Sequence, residues 1–460
     1  MRFSRRHAPW TRFLLSAILV VGGVSVCLKP AFGQYFGRNK VQWEKFDYRV
    51  LKTEHFDLYF YPEEEQAIRV AAQMAERWYK RYARLFNHDL RGRQPLIMYA
   101  SHPQFEQTTV LNEVMSEGTG GVTESGKRRI ILPFGATLAD TDHVIGHELV
   151  HAFQYDIASG PGPKYAQPSG GQGGGLERAP LWMIEGSAEY LSLGPIDALT
   201  AMWMRDLLHK KKLPTIKDLQ NPYKYFPYRY GQAVWAYIGG RYGDLAMAKL
   251  LKDIARGFEY QKAIVADLGV DIKKLSEDWH ASLKKDYEPI EKATKMPNSM
   301  GKVLLPGSEE DPYNIAPSVS PDGKRFMFIS SRDLYSIDMF IGDAKTGKIT
   351  RRITSTAVDP HYQSIEFINS SGSWNAAGDR FVFGAVAEGK PMLSFLDQDG
   401  RPAGEEIRFP NLGEILNPSW APDGRRIAFM ALAGGTSDIY IYDLTAKTLK
   451  NMTSDIYGDI

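Results

Sequence analysis

The stretch Asp142-His-Val-Ile-Gly-His-Glu-Leu-Val-His-Ala-Phe-Gln-Tyr155 contains HELVH, a match to H-E-x-x-H at residues 147–151. Apolar residues recur at Val144, Ile145, Leu149, Ala152 and Phe153, which is helical spacing. On a helix, residues four apart share a face. His147 and His151 can therefore point at one metal ion, with Glu148 at its open side. Two imidazoles and a carboxylate suit zinc and leave its fourth position to water. The metal acidifies that water, and Glu148 can take its proton. Asp140 and Thr141 are expected to cap the helix N-terminus. Gly146 costs the helix about 1 kcal/mol relative to Ala and is expected to let another segment approach.

H-E-x-x-H is short, so the third ligand decides. Downstream, Leu181-Trp-Met-Ile-Glu-Gly-Ser-Ala-Glu-Tyr190 places Glu185 and Glu189 four apart on a second amphipathic segment. Glu185 can complete a zinc site. Glu189 can then accept a hydrogen bond from a ligand histidine. His143 lies four residues before His147, but helical rise separates it from His151 by about 12 Å along the axis. It is assigned to supporting a ligand or to capping. Tyr228, Arg229 and Tyr230 are candidates to stabilise an oxyanion from the far wall of the cleft, and Tyr230 is taken as the catalytic one.

HELVH followed by WMIEGSAEY resembles the gluzincin metallopeptidases. A closer resemblance is to the bacterial peptidase MA-like family, in its exported members that carry TolB-like propeller repeats. The blocks that carry it are FGRNKVQW (36–43), TEHFDLYFYPEE (53–64), EGTGGVTE (117–124), KRRIILPF (127–134) and HVIGHELVHAFQYDI (143–157). It covers most of residues 34–290. The resemblance implies an α+β zincin-like metallopeptidase domain, Zn2+ held by His147, His151 and Glu185, and Glu148 as the base.

The rest of the chain fits around that domain. At 460 residues it has room for two or three cores, and its net charge of +2 gives no support for a nucleic-acid partner. Cys27 is the only cysteine, so disulfides are excluded. Residues 1–33 read as an export signal: Arg2, Arg5, Arg6 and Arg12, then an apolar run from Phe13 to Leu28, then Ala31-Phe32-Gly33 before a cleavage point. Alternation at Phe56, Leu58 and Phe60 predicts a strand that Pro62 ends, with His55 an ordinary strand residue near the edge. Ala67, Val70, Ala71, Met74, Trp78, Tyr82 and Leu85 predict an amphipathic helix. Pro95–Ala100 and Arg129–Phe134 read as strands, and Pro133 suggests that the latter is an edge open to an extended peptide. Residues 159–178 read as a flexible Gly/Pro-rich insertion. Four helices follow, around residues 202–208, 232–238, 245–254 and 275–283, and the domain closes at 290.

After a linker over 291–302 the character changes. Pro317–Phe328, Gly372–Phe383 and Pro418–Phe429 align with one another, and their glycines at 323, 378 and 424 recur about every fifty residues. Short strands at that period predict an all-β domain over 303–460 of about three TolB-like propeller blades. Three blades do not close a ring. The chain is therefore expected to continue past Ile460, or a partner to complete the propeller.

Two functions fit. The first is an exported zinc endopeptidase of the periplasm or outer-membrane surface that acts on a protein or peptide, with a propeller that binds another envelope protein. The second is a non-catalytic envelope scaffold with a vestigial or structural zinc site. An intact Glu148 favours the first, because a structural site needs no base.

Overall fold

The computed structural model describes residues 41–110, 115–160, 174–306, 313–333, 336–356, 361–365 and 372–460. The export-signal reading and most of the Gly/Pro-rich insertion lie outside the described residues. Within them the chain opens on β1 (Arg49–Lys52) and β2 (Phe56–Phe60), then α1 (Ala67–Phe86), β3 (Gln94–Tyr99) and the single-turn α2 (His102–Phe105). Next come β4 (Val122–Glu124), β5 (Arg129–Pro133) and α3 (Leu138–Ser159). The helical half follows: α4 (Leu181–Leu193), α5 (Ala198–His209), α6 (Pro227–Tyr242), α7 (Asp244–Ala255), α8 (Tyr260–Leu268) and α9 (Ile272–Ala293). α8 was not expected. α9 runs into the interval assigned to the linker.

The sheet order is β1-β2-β3-β5-β4, with β2, β3 and β5 parallel and β4 antiparallel on the end. The edge is therefore β4, and the expectation that the Arg129–Phe134 strand is an edge is corrected. Pro133 is tolerated because β4 reaches only to Val122 opposite Ile131, so no β4 partner awaits its missing N–H. The alternation at Phe56, Leu58 and Phe60 buries all three against the helices. His55 sits one residue before β2, its Nδ1 2.7 Å from Glu76 and its ring stacked on Tyr79.

α1 buries Ala71, Ala75, Trp78, Tyr82 and Phe86, while Val70 and Met74 are half-buried at its rim. α3 starts earlier than expected. Its N-cap is Thr137, whose hydroxyl accepts from the Asp140 N–H at 3.0 Å while the Asp140 carboxylate accepts from the Thr137 N–H at 3.1 Å. That reciprocal pair is a capping box. It replaces Asp140 and Thr141 as the cap; the Thr141 hydroxyl instead accepts from the Gly135 N–H. Gly146 is required as anticipated, since a Cβ there would lie 2.8 Å from the Trp78 ring and 3.2 Å from Ser192.

The C-terminal part forms three antiparallel sheets among the described residues. Blade 1 is β6 (Asn314–Val319), β7 (Arg325–Asp333), β8 (Ser336–Asp343) and β9 (Ile349–Arg352). Blade 2 is β10 (Ser364–Ile365), β11 (Ser373–Trp374), β12 (Arg380–Ala387), β13 (Lys390–Asp397) and β14 (Ile407–Arg408). Blade 3 is β15 (Glu414–Trp420), β16 (Arg426–Ala433), β17 (Thr436–Asp443) and β18 (Thr448–Asn451). The aligned glycines do one job in all three. Gly323, Gly378 and Gly424 have φ of +69°, +72° and +65°, and each donates its N–H to the carbonyl three residues back. Phe381 and Phe383 pack toward blade 1, and Val382 toward blade 3. Strands covered on both faces read as continuous apolar runs, as these do.

Gln42–Thr108 and Met115–Ile460 form one compact unit. Leu416, Met430 and Leu432 of blade 3 belong to the same apolar core as the helices of the N-terminal half. The Ser437 hydroxyl donates to the Ala136 carbonyl at 2.6 Å. No helix among the described residues is long and apolar enough to cross a membrane.

The C-terminal end of α3 is held by Asp156, whose side chain is 1% exposed. Its carboxylate lies 2.8 Å from His88, 2.9 Å from Arg91 and 3.2 Å from Arg128. Burial opposes the charge, but Arg91, His88 and Arg128 outweigh it and hold the carboxyl below its ordinary 3.8. A depressed carboxyl stabilises the fold above its unfolded value and loses that contribution as pH falls through the folded one. Asp156→Asn should cost about 2 kcal/mol in urea unfolding at pH 7. The gap to wild type should close below pH 3.8, and a gap independent of pH would refute the assignment.

Candidate metal centre

α3 and α4 bring three donor atoms to one point. His151 Nε2 is 3.1 Å from His147 Nε2 and 3.2 Å from Glu185 Oε2, and His147 Nε2 is 3.4 Å from that same oxygen. Four bonds of about 2.0–2.2 Å in a tetrahedron separate neighbouring ligand atoms by roughly 3.3–3.6 Å, so the spacing is close to what a small divalent ion needs. The remaining ring nitrogens are also engaged. His151 Nδ1 is 2.9 Å from Gln154 Oε1, and the Gln154 amide donates to Ser187 Oγ at 2.9 Å and to the Ile184 carbonyl at 3.2 Å. His147 Nδ1 lies 3.0 Å from Glu189 Oε1, approaching obliquely rather than along the N–H direction. The Gln154 contact leaves His151 Nε2 facing His147 and Glu185.

His143 does not join this group. Its Nε2 is 3.5 Å from Glu189 and its Nδ1 is 3.0 Å from Ser192 Oγ. Glu189 is thus shared by His147, His143 and Arg229, whose Nη1 is 3.1 Å away and also 3.2 Å from Asp197. Among the described residues, His147, His151 and Glu185 are one group able to hold a metal, and His143, His147 and Glu189 are another that uses the opposite nitrogen of His147.

Glu148 is buried beside the donors. The Thr123 hydroxyl, on edge strand β4, donates to its carboxylate at 2.6 Å. Above it passes the Gly-rich segment that leads into β4. A Cβ on Gly121 would lie 2.9 Å from Glu148 Cγ, so only glycine lets the strand cross there. A cavity of ≈ 500 Å³ opens over the donors, walled by residues 118–123 on one side and by Phe226, Tyr228 and Arg229 on the other.

Tyr230 is not in that wall. It is buried against Trp203 and Tyr225, with ring centroids 6.0 and 5.4 Å away. The assignment of Tyr230 as catalytic is corrected. Tyr228 is the tyrosine that faces the donors, stacked on His147 at 5.8 Å. α6 presents it there because α4 and α6 touch at two glycines. A Cβ on Gly186 would lie 2.3 Å from the Gly231 backbone, and one on Gly231 would lie 2.3 Å from the Trp182 carbonyl.

Buried carboxylates set the electrostatics. Burial disfavours the charged form of His147, yet Glu185 and Glu189 push it up to about 10. His151 is raised by Glu185 against the same burial. Glu185 and Glu189 stay far below the usual carboxylate range despite burial, held there by the histidines. The cluster attracts positive charge, which a divalent ion would supply. Burial, then Glu185 and Glu148, push the Tyr228 phenol up, so it remains an O–H donor.

Thr123, Gln154 and Asp197 were not singled out in the sequence. Gln154 had a signal, three residues after His151 on the same helix. Thr123 and Asp197 are brought in by tertiary structure alone.

Residues 87–285, which contain all of these donors, match the Peptidase MA superfamily. Among solved structures, the chain is similar to TolB from Acinetobacter baumannii, with 24% identity over 33% of this chain and 34% of that one and a TM-score of 0.27. It is also similar to a putative TolB from Agrobacterium tumefaciens, with 20% identity over 34% and 51% and a TM-score of 0.25. The β-propeller domain of the Trilobed protease from Pyrococcus furiosus gives 10% identity over 32% and 44% and a TM-score of 0.23. The chain spans between about a third and a half of these structures' length. No curated protein matches the sequence.

Gly231→Val should force α4 and α6 apart, costing about 3 kcal/mol or more and releasing bound metal. Gly240→Ala, on the same helix but with nothing within 4 Å of its Cβ, should leave both unchanged. Thermal melts and elemental analysis of the two proteins check this; equal melts would show that the glycine contact is not needed.

Proposed function

We propose that the chain is an exported zinc endopeptidase. The observation that carries this reading is the convergence of His147, His151 and Glu185, with Glu148 held beside them by Thr123 under an open cavity. The superfamily match over residues 87–285 supports a peptidase. Zinc is the metal that two imidazoles and a carboxylate suit best. Held by these three residues, it would supply a Lewis acid that makes a water more acidic and polarises the scissile carbonyl.

The chain's own groups do the rest. Glu148 takes the proton of the attacking water and passes it to the leaving amine. Thr123 keeps the Glu148 carboxylate aimed into the cavity. Tyr228 donates its O–H to the oxygen that gains charge at the tetrahedral stage. Glu189, with Arg229 and His143 behind it, holds His147 in one tautomer. Edge strand β4 offers unpaired backbone groups to an extended peptide, which suits a polypeptide substrate.

The leader at residues 1–33 supports export to the periplasm or outer-membrane surface, and the blades support recruitment of another envelope protein. The rival scaffold reading has to explain why a buried carboxylate faces the cavity without serving as a ligand.

Wild type and Glu148→Gln should each bind zinc by elemental analysis, while the variant loses about 10²–10⁴-fold in peptide cleavage. Tyr228→Phe should lower kcat about 10²-fold, and Tyr230→Phe should change it little. If both proteins bind zinc and neither cuts any peptide in a broad library, the scaffold reading stands.

A further inference from the structure

A second set of polar side chains lies where blades 2 and 3 meet the N-terminal half, around α2, with His102 and Glu106 partly buried and Gln363 exposed. His102 Nε2 is 3.2 Å from the Thr119 carbonyl, and its Nδ1 is 3.5 Å from Glu106. Glu106 accepts a 2.9 Å hydrogen bond from the Gln363 amide of blade 2, and the Gln363 carbonyl oxygen accepts from the Gly389 N–H at 3.0 Å. From blade 3, Gly413 packs so tightly that a Cβ would lie 2.6 Å from Ser101. Glu414 beside it is buried, and its charge acts on His102. Thr119 lines the catalytic cavity and leads into β4, which carries Thr123.

Both nitrogens of His102 face acceptors, a carbonyl on one side and a carboxylate on the other. Only the imidazolium donates to both. Neutral imidazole would set a lone pair against one of them.

We propose that His102 is a positioning residue through which the propeller holds the substrate-facing segment 118–121: blades 2 and 3 clamp α2, and α2 clamps the cavity wall. Its effect on substrate rests on the peptidase reading above, while the brace itself does not. The propeller is then part of the cleft as well as a recruiting surface. The charged groups that face His102 are Glu106 from α2, Glu117 from the cavity-wall segment and Glu414 from blade 3. Burial lowers the imidazole, and these carboxylates more than restore it, leaving it above 6.5. A raised histidine braces fully below its ordinary value and lets go as pH rises through the folded one.

The test is amide hydrogen exchange on the full chain, with zinc content and peptide kinetics alongside. Gln363→Ala and His102→Phe should speed exchange in residues 115–124 about tenfold and leave α3, α4 and zinc content as in wild type. On a peptide that wild type cuts, KM should rise about five-fold with kcat nearly unchanged. His102→Gln cannot titrate. It should remove the pH dependence of exchange in residues 115–124 and the rise in KM as pH climbs above 6.5. Exchange unchanged in 115–124, or raised evenly across the peptidase domain, would overturn the proposal. If wild type cuts no peptide, the peptidase reading fails while the exchange result still decides the brace.

Discussion

Gly186 and Gly231 let α4 and α6 meet backbone to backbone, and the candidate metal centre is built on that contact. Helices separate by the size of the side chains between them. With larger residues here, Tyr228 would leave His147 and Arg229 would leave Glu189. Other bonds close over the same crossing. The Trp235 indole donates to the Met183 carbonyl at 3.0 Å, and the Gln232 amide to the Gly194 carbonyl at 2.8 Å. α4 is thereby pinned on one side by α6 and on the other by Gln154 of α3, so Glu185 has one place to go.

That placement carries an electrostatic cost. Glu148, Glu185 and Glu189 come together in a largely dehydrated site, and Arg229 is the lysine or arginine among the described residues that line the cavity. Buried carboxylates of this kind are stable only when paired. Neutral imidazoles do not balance them, whereas a divalent ion among His147, His151 and Glu185 removes most of the imbalance. Binding of such an ion would be coupled to the packing of α4 against α3. The ion would be expected to stabilise the helical half as well as to serve catalysis.

Local periodicity made the residues of the candidate site legible before any tertiary information. His147, His151, Glu185 and Glu189 each depend on a four-residue spacing within one helix, and that survives whatever the helices pack against. Tyr228 and Tyr230 sit about 200° apart around α6. Which of them faces His147 depends on the phase of α6, and the phase is set by Gly231 against Gly186, forty-five positions away. Nothing local to Tyr-Arg-Tyr encodes it. The edge strand was missed for a different reason: β4 has only three residues in a Gly-rich passage, too short for alternation to register. The cap of α3 was misplaced because Asp140 is itself a favoured cap residue. Here it acts as the third helical residue that answers Thr137. The propeller repeats were legible because each blade reuses one turn, with a glycine that only a positive φ explains.

Where the two halves join, sequence and physics divide the chain differently. Composition changes near residue 300, and a domain boundary is naturally drawn there. The apolar core does not stop at that point. It takes in Leu416, Met430 and Leu432, more than a hundred residues later. The hairpin between β16 and β17 reaches the N-terminal half through glycines: a Cβ on Gly434 would lie 2.2 Å from the Glu63 carbonyl oxygen, and one on Gly435 would lie 2.5 Å from Phe134. Phe134 follows β5, and Ala136, which accepts from Ser437, precedes the cap of α3. Blade 3 therefore braces the start of the helix that carries His147, Glu148 and His151. Cutting at the compositional boundary would strip apolar cover from the peptidase core and would loosen the segment that aims its ligand helix. The N-terminal half and the third blade are better treated as one unit around a shared apolar core.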